Sequence, residues 1–392
     1  MSRNVPKLRF KGFEDEWRKG KLGDMSKIIM GQSPSSNAYN YNKEGLPLVQ
    51  GNADITKRIT TPRMYTTEIT KTCEIEDIIM SVRAPVGSIA IAKQRSCIGR
   101  GVCSIKAIGI NQKYLYQVLL GYEKKWLKIS QGSTFESINS NDIKGVMLNI
   151  PSLQEQEKIA NFLSKVDSII EKQEKKVQYW NSYKKGMMQK IFSQKIRFKD
   201  ENGRDYPKWE SKRFKEILIE PKKEKVENPS KMELLTVKLH CKGVEKTGKY
   251  PNETKGGRPY YIRNEGELLI GRQNMHNGGI GLVKNECDGN IASNAISSFI
   301  IKNSDKGNIK YIYLFLSNSN FYKRIDLLIG GTGQKEISKS ELDNLKIEIP
   351  LLEEQNKIVK LFSNVDNIIE KESKKLEELK QWKKGLLQQL FV

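Results

Sequence analysis

The sequence predicts an α+β protein in which two mixed α/β domains are separated and joined by two long antiparallel coiled-coil helices, as a pseudo-twofold internal repeat. The first observation is a duplication: Ile150–Phe192 aligns without a gap with Ile349–Phe391, and 21 of the 43 aligned pairs are identical. The second is that the segments in front of these two copies differ from each other. We therefore expect this order: an N-terminal arm at residues 1–17, a variable domain at 18–149, a central helix at 150–194, a second arm at 195–209, a second variable domain at 210–348 and a C-terminal helix at 349–392.

The two arms resemble each other. Arg9–Trp17 has the sequence RFKGFEDEW, and Arg197–Trp209 has RFKDENGRDYPKW, with four extra residues. Because each arm precedes a variable domain, the duplication extends beyond the helices.

Each variable domain is predicted to combine short strands with helical structure near its end. The runs DIIMSV and GSIAIA in the first domain, and ELLIGR and AISSFII in the second, are short and apolar, which favours strands. The stretches NQKYLYQVLLGYEKKWL and KYIYLFLSNSNFYKRIDLL have helical character, and VMLNIP and LKIEIP predict short closing strands. The order of the strands does not follow from these patterns.

Both copies of the duplicated segment predict amphipathic helices. Apolar residues recur at spacings of three, four or their sums, which is the period of a helix with one buried stripe. Each helix would contain about 39 residues and be roughly 58 Å long. A stripe of this length needs a partner, and the other copy is the nearest candidate. The stripe positions are Ile159, Phe162, Val166, Ile169, Trp180, Tyr183 and Met187 in the first copy and Ile358, Leu361, Val365, Ile368, Leu379, Trp382 and Leu386 in the second.

Prolines and glycines recur at equivalent positions of the two copies. Pro151 and Pro350 precede the helices, because proline restricts the residue before it to extended conformations. Gly186 and Gly385 fall late in the helices, within KKGMMQ and KKGLLQ. We expect each glycine to mark a bend or a site where a neighbouring backbone comes close.

The charge of the chain indicates a polyanionic partner. It contains 68 Lys and Arg against 46 Asp and Glu, a net charge of +22. The two helical segments carry only +3 and +1, which leaves +18 on the remaining sequence. We therefore expect a basic binding surface mainly on the segments between the helices, although solubility alone could explain part of the excess.

The composition argues against several classes of protein. No segment approaches the roughly eighteen apolar residues of a membrane span, and the first residues lack the apolar core of a signal peptide. We expect a soluble cytoplasmic protein. The five cysteines form no CxxC pair, so we expect free thiols. The chain has no phosphate-binding GxxxxGK[ST] loop and only two histidines, His240 and His276, so we expect no catalytic residue, no metal site and no bound cofactor.

Loops rich in Gly, Asn, Gln and Arg are the candidates for contacts with nucleic acid. Arg and Lys can read guanine, and Asn and Gln can read adenine. Arg83, Arg272, Gln273 and Asn274 are the preferred candidates, since each lies just after an apolar run that would hold it rigidly. Lys57, Arg58, Arg63 and Lys255 are expected to contact phosphates. The remaining candidates in these loops are Gln32, Ser33, Asn37, Gln50, Asn52 and Arg258.

Two ordinary explanations stand beside these predictions. Gly, Asn and Ser are also the usual residues of turns. Tyr39, Tyr41, Tyr260 and Tyr261 could stack on bases or simply pack against the domain.

The arrangement resembles the specificity (S) subunit of type I restriction-modification systems. The resemblance covers essentially the whole chain and rests on the duplicated helix, which begins IPSLQEQEKI and IPLLEEQNKI and ends in KKGMMQ and KKGLLQQ. The stretch GQSPSSNAYN…GLPLVQGNADI also looks like a target-recognition domain of that family.

The resemblance implies that each variable domain recognises one half of a bipartite, asymmetric target in double-stranded DNA. The helix pair would act as a spacer and dock two methyltransferase (M) subunits, with restriction and translocase (R) subunits joining the complex. S-adenosylmethionine, ATP and magnesium are then expected on those partner subunits.

Pseudo-twofold symmetry independently favours this geometry. A protein with such symmetry that lies along DNA places its axis perpendicular to the duplex, which makes helices along the DNA antiparallel. The two half-site centres are then expected about one helical turn, roughly 34 Å, apart.

Two alternatives remain. A stand-alone DNA-binding regulator needs the same basic domains but no partner subunit. A purely structural coiled-coil adaptor needs no DNA, and salt-dependent binding to duplex DNA would exclude it.

Overall fold

A computed structural model describes residues 5–130, 137–251, 259–328 and 336–391. The chain divides into two compact units, Met1–Lys175 with Ser373–Val392, and Lys176–Glu372. Each unit combines β-sheets with helices, which confirms the predicted mixed α/β class and the presence of two domains. No helix in the described ranges combines the length and apolarity needed to cross a membrane.

The described part of the first unit contains three sheets. Its strands are β1 (Arg18–Lys21), β2 (Ser26–Met30), β3 (Tyr39–Asn40), β4 (Leu46–Val49), β5 (Ile55–Thr56), β6 (Ile59–Thr60), β7 (Met64–Thr66), β8 (Thr72–Cys73), β9 (Ile78–Ser81), β10 (Ile89–Ile91), β11 (Ser96–Ile98), β12 (Val102–Ala107) and β13 (Met147–Ile150). β1 pairs with β13, a six-stranded sheet has the order β2-β12-β9-β10-β6-β5, and a five-stranded sheet has the order β3-β7-β4-β11-β8. The helices that begin here are α1 (Gln112–Ser130), α2 (Ser140–Lys144) and α3 (Leu153–Phe192), and α3 continues into the second unit.

Helix α1 packs against the six-stranded sheet of the first unit. Tyr114 and Trp126 on this helix are fully buried in the same apolar cluster as Ile78 and Met80 of β9. The Tyr114 hydroxyl donates a hydrogen bond of 3.0 Å to the carbonyl oxygen of Asn149 in β13. The core thus links the predicted strand DIIMSV, the predicted helix and the closing strand.

Four smaller sheets lie within the described residues of the second unit. Its strands are β14 (Glu210–Arg213), β15 (Leu218–Ile219), β16 (Leu235–Val237), β17 (Val244–Lys246), β18 (Tyr260–Arg263), β19 (Leu268–Gly271), β20 (Ile280–Leu282), β21 (Asn290–Ser293), β22 (Ile296–Ile301) and β23 (Lys346–Ile349). β15-β22-β19-β20 form the largest sheet, and β14-β23, β16-β17 and β18-β21 form pairs. Its other helices are α4 (Phe214–Ile217), α5 (Ile309–Leu316), α6 (Ser319–Leu328), α7 (Lys339–Asn344) and α8 (Leu352–Leu390), and α8 continues into the first unit.

The late helical stretch of the second domain is broken, whereas its counterpart in the first domain is the single helix α1. Helix α5 ends at Leu316, and α6 begins at Ser319. Asn318 lies between them, and its side-chain oxygen accepts a hydrogen bond of 3.0 Å from the backbone N–H of Asn320. An asparagine that satisfies a free N–H at a helix start favours a new helix over continuation of the old one.

Contacts between α3 and α8 occur within each unit. In the first unit, the rings of Phe162 and Trp382 meet edge to face with centroids 6.4 Å apart. The Lys383 ammonium forms an ion pair with the Asp167 carboxylate. Within the second unit, Lys184 forms an ion pair with Asp366, and these two residues are the sequence equivalents of Lys383 and Asp167.

A buried glutamate at the start of each long helix holds the preceding arm. In the first unit, the Glu155 carboxylate accepts hydrogen bonds from Arg9 Nε at 2.8 Å, Arg9 Nη2 at 2.9 Å and Trp17 Nε1 at 3.2 Å. Arg9 Nη2 also donates to the Asp15 carbonyl oxygen at 2.6 Å. A carboxylate with several charge-assisted donors is a strong anchor, so the arm is fixed to the helix start.

The second unit contains the same contacts. Glu354 accepts hydrogen bonds from Arg197 Nε at 3.2 Å, Arg197 Nη2 at 2.7 Å and Trp209 Nε1 at 3.1 Å. The arms therefore keep Arg and Trp because both side chains bind one buried carboxylate.

The glutamine that follows each glutamate has a different role. Gln156 Nε2 donates to the Pro151 carbonyl oxygen at 3.0 Å, and Gln156 Oε1 accepts the N–H of Asn111 at 2.8 Å. Gln355 makes the corresponding contacts with Pro350 at 2.8 Å and Asn308 at 2.9 Å. The EQ pair of the repeated motif therefore joins the helix start to both the arm and the variable domain.

Of the two alternatives expected at the helix glycines, a bend or a close backbone approach, the second does not occur within the described chain. A Cβ atom added to Gly186 or Gly385 would have no described atom within 4 Å, apart from its chain neighbours and the nearby backbone of its own helix. The α-helix continues through both positions. Neither glycine is therefore required by packing within the described chain.

Candidate functional site

Four of the predicted residues in the first domain lie around one concave surface. Ser33, Gln50, Asn52 and Arg83 line a cavity of about 660 Å³, and Arg100 lies on the same cavity. We call this the first-domain groove. Its hydroxyl, amide and guanidinium groups are of the kinds that recognise base edges.

Close backbone contacts hold the loops of the first-domain groove together. A Cβ on Gly31 would lie 2.2 Å from the carbonyl oxygen of Gly99, and a Cβ on Gly101 would lie 2.1 Å from the carbonyl oxygen of Gln50. No side chain fits at such distances. The loops after β2, after β4 and before β12 therefore meet backbone to backbone, which fixes their relative positions.

A buried carboxylate anchors one side of the groove. Asp54 is buried, and its Oδ2 accepts the backbone N–H of Gln50 at 2.8 Å. Its Oδ1 accepts a hydrogen bond of 3.0 Å from Nε of Arg63. Arg63, a predicted phosphate contact, is thus bound on one edge, while 65% of its side chain remains exposed.

The two arginines of the groove are exposed. Neither Arg83 nor Arg100 forms an ion pair with a residue in the described part of the chain. The loop that carries Arg83 is fixed by the Ser81 hydroxyl, which donates to the Pro85 carbonyl oxygen at 2.7 Å and accepts the N–H of Ser88 at 2.9 Å. An exposed guanidinium on a fixed loop can bind a base or phosphate without first breaking an internal ion pair.

Sequence reasoning missed Arg100. It lies just after the buried strand β11, which is the same signal that selected Arg83 after β9. Its backbone N–H donates a hydrogen bond of 3.2 Å to the Ser33 hydroxyl, which ties it to the predicted loop. Glycines flank Arg100 on both sides, so the sequence alone is typical of an ordinary turn at this position.

Lys57 and Arg58 form the two-residue turn between β5 and β6. Both residues have positive φ angles, 49° and 66°. Such a turn favours Asn and Gly, so two long basic side chains are locally unfavourable there. The Arg58 guanidinium is held by the Glu123 carboxylate, with 2.9 Å between Nη2 and Oε2. A phosphate contact by Arg58 would therefore have to replace Glu123, whereas the exposed side chain of Lys57 requires no such exchange.

The predicted residues Gln32 and Asn37 lie outside the lining of the groove. Gln32 and Asn37 are exposed, and Asn37 belongs to the short 3₁₀ turn Ser36–Ala38. Tyr39 lies on the groove, and its hydroxyl donates to the carbonyl oxygen of Pro34 at 3.1 Å.

In the second domain, three predicted residues begin the 3₁₀ helix Arg272–Asn277, directly after the buried strand β19. Gln273 and Asn274 are exposed. Arg272 is only partly exposed, and its Nη2 lies 3.0 Å from the Glu336 carboxylate. The two amides are thus available for hydrogen bonds, whereas the arginine is engaged. Lys255 and Arg258 lie outside the described residues.

The cysteines are free, as expected. Burial raises the pKa of Cys73 to about 11 and that of Cys103 to about 12. These two thiols therefore remain protonated near neutral pH, and a protonated thiol is a poor nucleophile. No cluster of three or more His, Cys, Asp or Glu in the described ranges could hold a metal ion.

The chain is similar to proteins of one family. A family model described as the type I restriction modification DNA specificity domain matches residues 14–178 and 190–381. A putative type I restriction enzyme MjaX specificity subunit from Methanocaldococcus jannaschii is 35% identical over 192 residues, which cover 47% of this chain and 44% of that relative. The type I restriction enzyme MjaVIII specificity subunit from the same organism is 25% identical, with 96% of this chain and 92% of that relative covered.

One solved structure is similar over nearly the full length. The crystal structure of a type I restriction-modification system S subunit from M. genitalium superposes with a TM-score of 0.62 and covers 99% of both chains. The sequence identity is 16%, so this similarity concerns the fold alone.

Proposed function

Because the chain belongs to the type I restriction-modification DNA specificity family, we propose that it selects the DNA sequence on which a type I restriction-modification complex acts. The observation that carries this proposal is the double match of the family model, at residues 14–178 and 190–381. Each match contains one variable domain with its own exposed, polar candidate surface. The net charge of +22 favours a polyanionic ligand such as DNA.

The proposed target is bipartite and asymmetric. The first-domain groove would bind one half-site, and the 3₁₀ helix Arg272–Asn277 would bind the other. The two surfaces carry different side chains at different places in their sheets. Different readers recognise different base sequences, so the two half-sites are expected to differ.

The proposed role of α3 and α8 is to hold the two half-sites at a fixed spacing. Helices of 40 and 39 residues are about 60 Å long, which exceeds the roughly 34 Å between half-sites one helical turn apart. The equivalent ion pairs Lys184–Asp366 and Lys383–Asp167 support an antiparallel coiled coil related by pseudo-twofold symmetry.

The same helices are proposed to dock two methyltransferase subunits, with restriction and translocase subunits joining that complex. Because the two helices are closely similar, they provide equivalent surfaces to which two identical methyltransferase subunits can bind, while the variable domains differ. S-adenosylmethionine, ATP and magnesium would then bind to the partner subunits. This chain would act in the cytoplasm, where it would select the DNA sequence and catalyse no reaction itself.

A stand-alone DNA-binding regulator is the second candidate, because exposed arginines and a basic chain suit it equally well. It gives no reason for 21 identical pairs in the helices beside divergent DNA-reading domains. Co-purification of a methyltransferase subunit with the tagged chain separates the two candidates.

The deciding experiment maps methylated adenines in cells that carry this chain with its methyltransferase. We expect one asymmetric motif with a fixed gap between its halves. Exchange of residues 18–149 for the corresponding domain of a relative should change one half-site and leave the other intact. A change in both half-sites would contradict the proposal that each domain reads one half-site. The same pattern of genomic methylation in cells that carry the chain and in cells that lack it would contradict the proposed function itself.

A further inference from the structure

The two histidines of the chain, far apart in sequence from Lys323, line one pocket with it. His240, His276 and Lys323 surround a cavity of about 290 Å³, together with Asn277 and Tyr322. The candidate base readers Gln273 and Asn274 do not line this cavity. Among the described residues, its lining contains three basic side chains, His240, His276 and Lys323, and no acidic residue.

A strained backbone segment positions His240. His240 and the next residue, Cys241, have φ angles of 59° and 54°, a region that non-glycine residues rarely adopt. The N–H of His240 donates to the Asn277 carbonyl oxygen at 2.8 Å, and that of Cys241 donates to the Gly278 carbonyl oxygen at 2.8 Å. The Tyr313 hydroxyl donates to the Cys241 carbonyl oxygen at 3.1 Å. Strain that several contacts maintain is concentrated at binding and catalytic sites in proteins.

The pocket adjoins the candidate base readers. His276 lies on the same 3₁₀ helix as Gln273, three residues further on. Side chains three residues apart on a 3₁₀ helix lie on the same face. Asn274 and Asn277 have the same relationship. The exposed amides and the lining of the pocket therefore follow one another along a single short helix.

We propose that this pocket, which we call the histidine pocket, binds one backbone phosphate of the half-site read by the second domain. This inference rests on the proposed function. The Lys323 ammonium supplies positive charge and the exposed His240 imidazole supplies a directed hydrogen bond, which together suit a phosphodiester. Asn277 Nδ2 lies 2.9 Å from His276 Nε2, so these two side chains bind each other and fix the His276 side of the pocket. A phosphate held there would set the register of the duplex against Gln273 and Asn274.

The test uses the chain purified with its methyltransferase subunits and a duplex that contains the mapped target. Single backbone phosphates of the second half-site are replaced in turn by neutral methylphosphonates, and affinity is measured by fluorescence anisotropy. The variants are Lys323→Gln and His240→Gln. The matched control is Arg324→Gln, which removes one exposed charge from the same helix beside the pocket.

We expect one or two methylphosphonates to weaken binding by the wild-type protein about threefold to tenfold. Those same positions should have no further effect in Lys323→Gln, and a reduced effect in His240→Gln, because the contact is already lost. The slope of log affinity against log salt should fall by about 0.9 in Lys323→Gln. The control Arg324→Gln should keep the wild-type methylphosphonate profile.

Identical methylphosphonate profiles for wild type and both pocket variants would overturn the histidine pocket, while preference of the wild type for target over scrambled DNA would leave the proposed function intact. The opposite result would overturn sequence selection alone: the wild type binds target and scrambled DNA equally, while its methylphosphonate profile still differs from those of the pocket variants. Phosphate contacts carry no sequence information, so they can persist without sequence selection. Absence of duplex binding by the wild-type complex would overturn both.

Discussion

At the scale of single residues, Glu155 and Glu354 explain why the arms and helix starts repeat together. Each carboxylate is almost fully buried and accepts hydrogen bonds from one Arg and one Trp of its arm. A buried carboxylate is stable only when donors surround it. The Arg, the Trp and the Glu are therefore interdependent, although they are far apart in the sequence.

Replacement of the glutamate should release the arm. We expect Glu155→Gln to lower the free energy of unfolding by about 2–4 kcal/mol, since the charge-assisted hydrogen bonds from Arg9 and Trp17 are lost. Hydrogen exchange should then increase in peptides that cover residues 8–17. The control Glu157→Gln changes an exposed carboxylate two residues away and should stay within about 0.5 kcal/mol of wild type. Unaltered protection of the arm in Glu155→Gln would refute this explanation.

Arg100 offers a residue-scale test of the first-domain groove. We expect Arg100→Gln to reduce affinity for the target by about 1–3 kcal/mol, or roughly 5-fold to 150-fold, because a fixed guanidinium on a base edge is lost. The control Arg95→Gln removes an exposed arginine whose Nε lies 3.3 Å from the Glu74 carboxylate in the same domain. Equal losses in the two variants, measured by titration with target duplex, would mean that general charge and not the groove governs binding.

At the scale of elements, each long helix contains a glycine that lowers its stability relative to alanine. Glycine in a helix interior is less favourable than alanine, because the unfolded backbone has more freedom to lose. At Gly186 and Gly385 the described structure leaves space for a methyl group. The two glycines are therefore not explained by the packing of this chain alone.

Alanine at these positions should stabilise the isolated chain. We expect Gly186→Ala and Gly385→Ala each to raise the free energy of unfolding by about 0.5–1 kcal/mol, measured by chemical denaturation. Ser182→Ala, on the same helix as Gly186, is a control that should give a smaller gain. A loss of stability would show that the added methyl group meets an obstruction. Weaker co-purification of the methyltransferase by the alanine variants would assign the glycines to the partner interface.

For several strands, the local sequence pattern was sufficient to predict the element that the structure contains. The runs DIIMSV, GSIAIA, ELLIGR and AISSFII contain β9, β10, β19 and β22, because short apolar runs have few alternatives to a buried strand. The helical character expected in KYIYLFLSNSNFYKRIDLL is confirmed, but Asn318 divides the stretch into α5 and α6. A capping asparagine competes with helix continuation at a position where the apolar period gives no warning.

At the scale of the whole molecule, the proposed spacing role of the helices can be tested by changing their length. Seven residues preserve the apolar stripe and add about 10 Å to a helix. Insertion of one heptad after Lys175 and another after Lys374 should lengthen the gap between half-sites by about three base pairs, with both half-site sequences unchanged. The measurement is methylation mapping in cells that express the altered chain. Altered half-site bases beside an unchanged gap would contradict the spacing role.

Features that depend on local period and on repetition can be predicted from the amino-acid sequence alone. Apolar spacing predicts two long helices, duplicated motifs predict two related supports, and the family resemblance follows from the same residues. These patterns are visible in sequence because helix period and strand alternation act over a few neighbouring positions.

Which polar groups come together depends on the three-dimensional packing of distant loops. In the structure, Ser33, Gln50, Asn52, Arg83 and Arg100 line one groove. The Arg58 guanidinium instead donates a hydrogen bond to the Glu123 carboxylate. The physical reason is that strand order and close glycine contacts bring distant loops together, whereas each loop alone resembles an ordinary turn. The sequence does not show whether an arginine pairs with a carboxylate of its own domain or is free to contact a base, because that depends on how the domain packs.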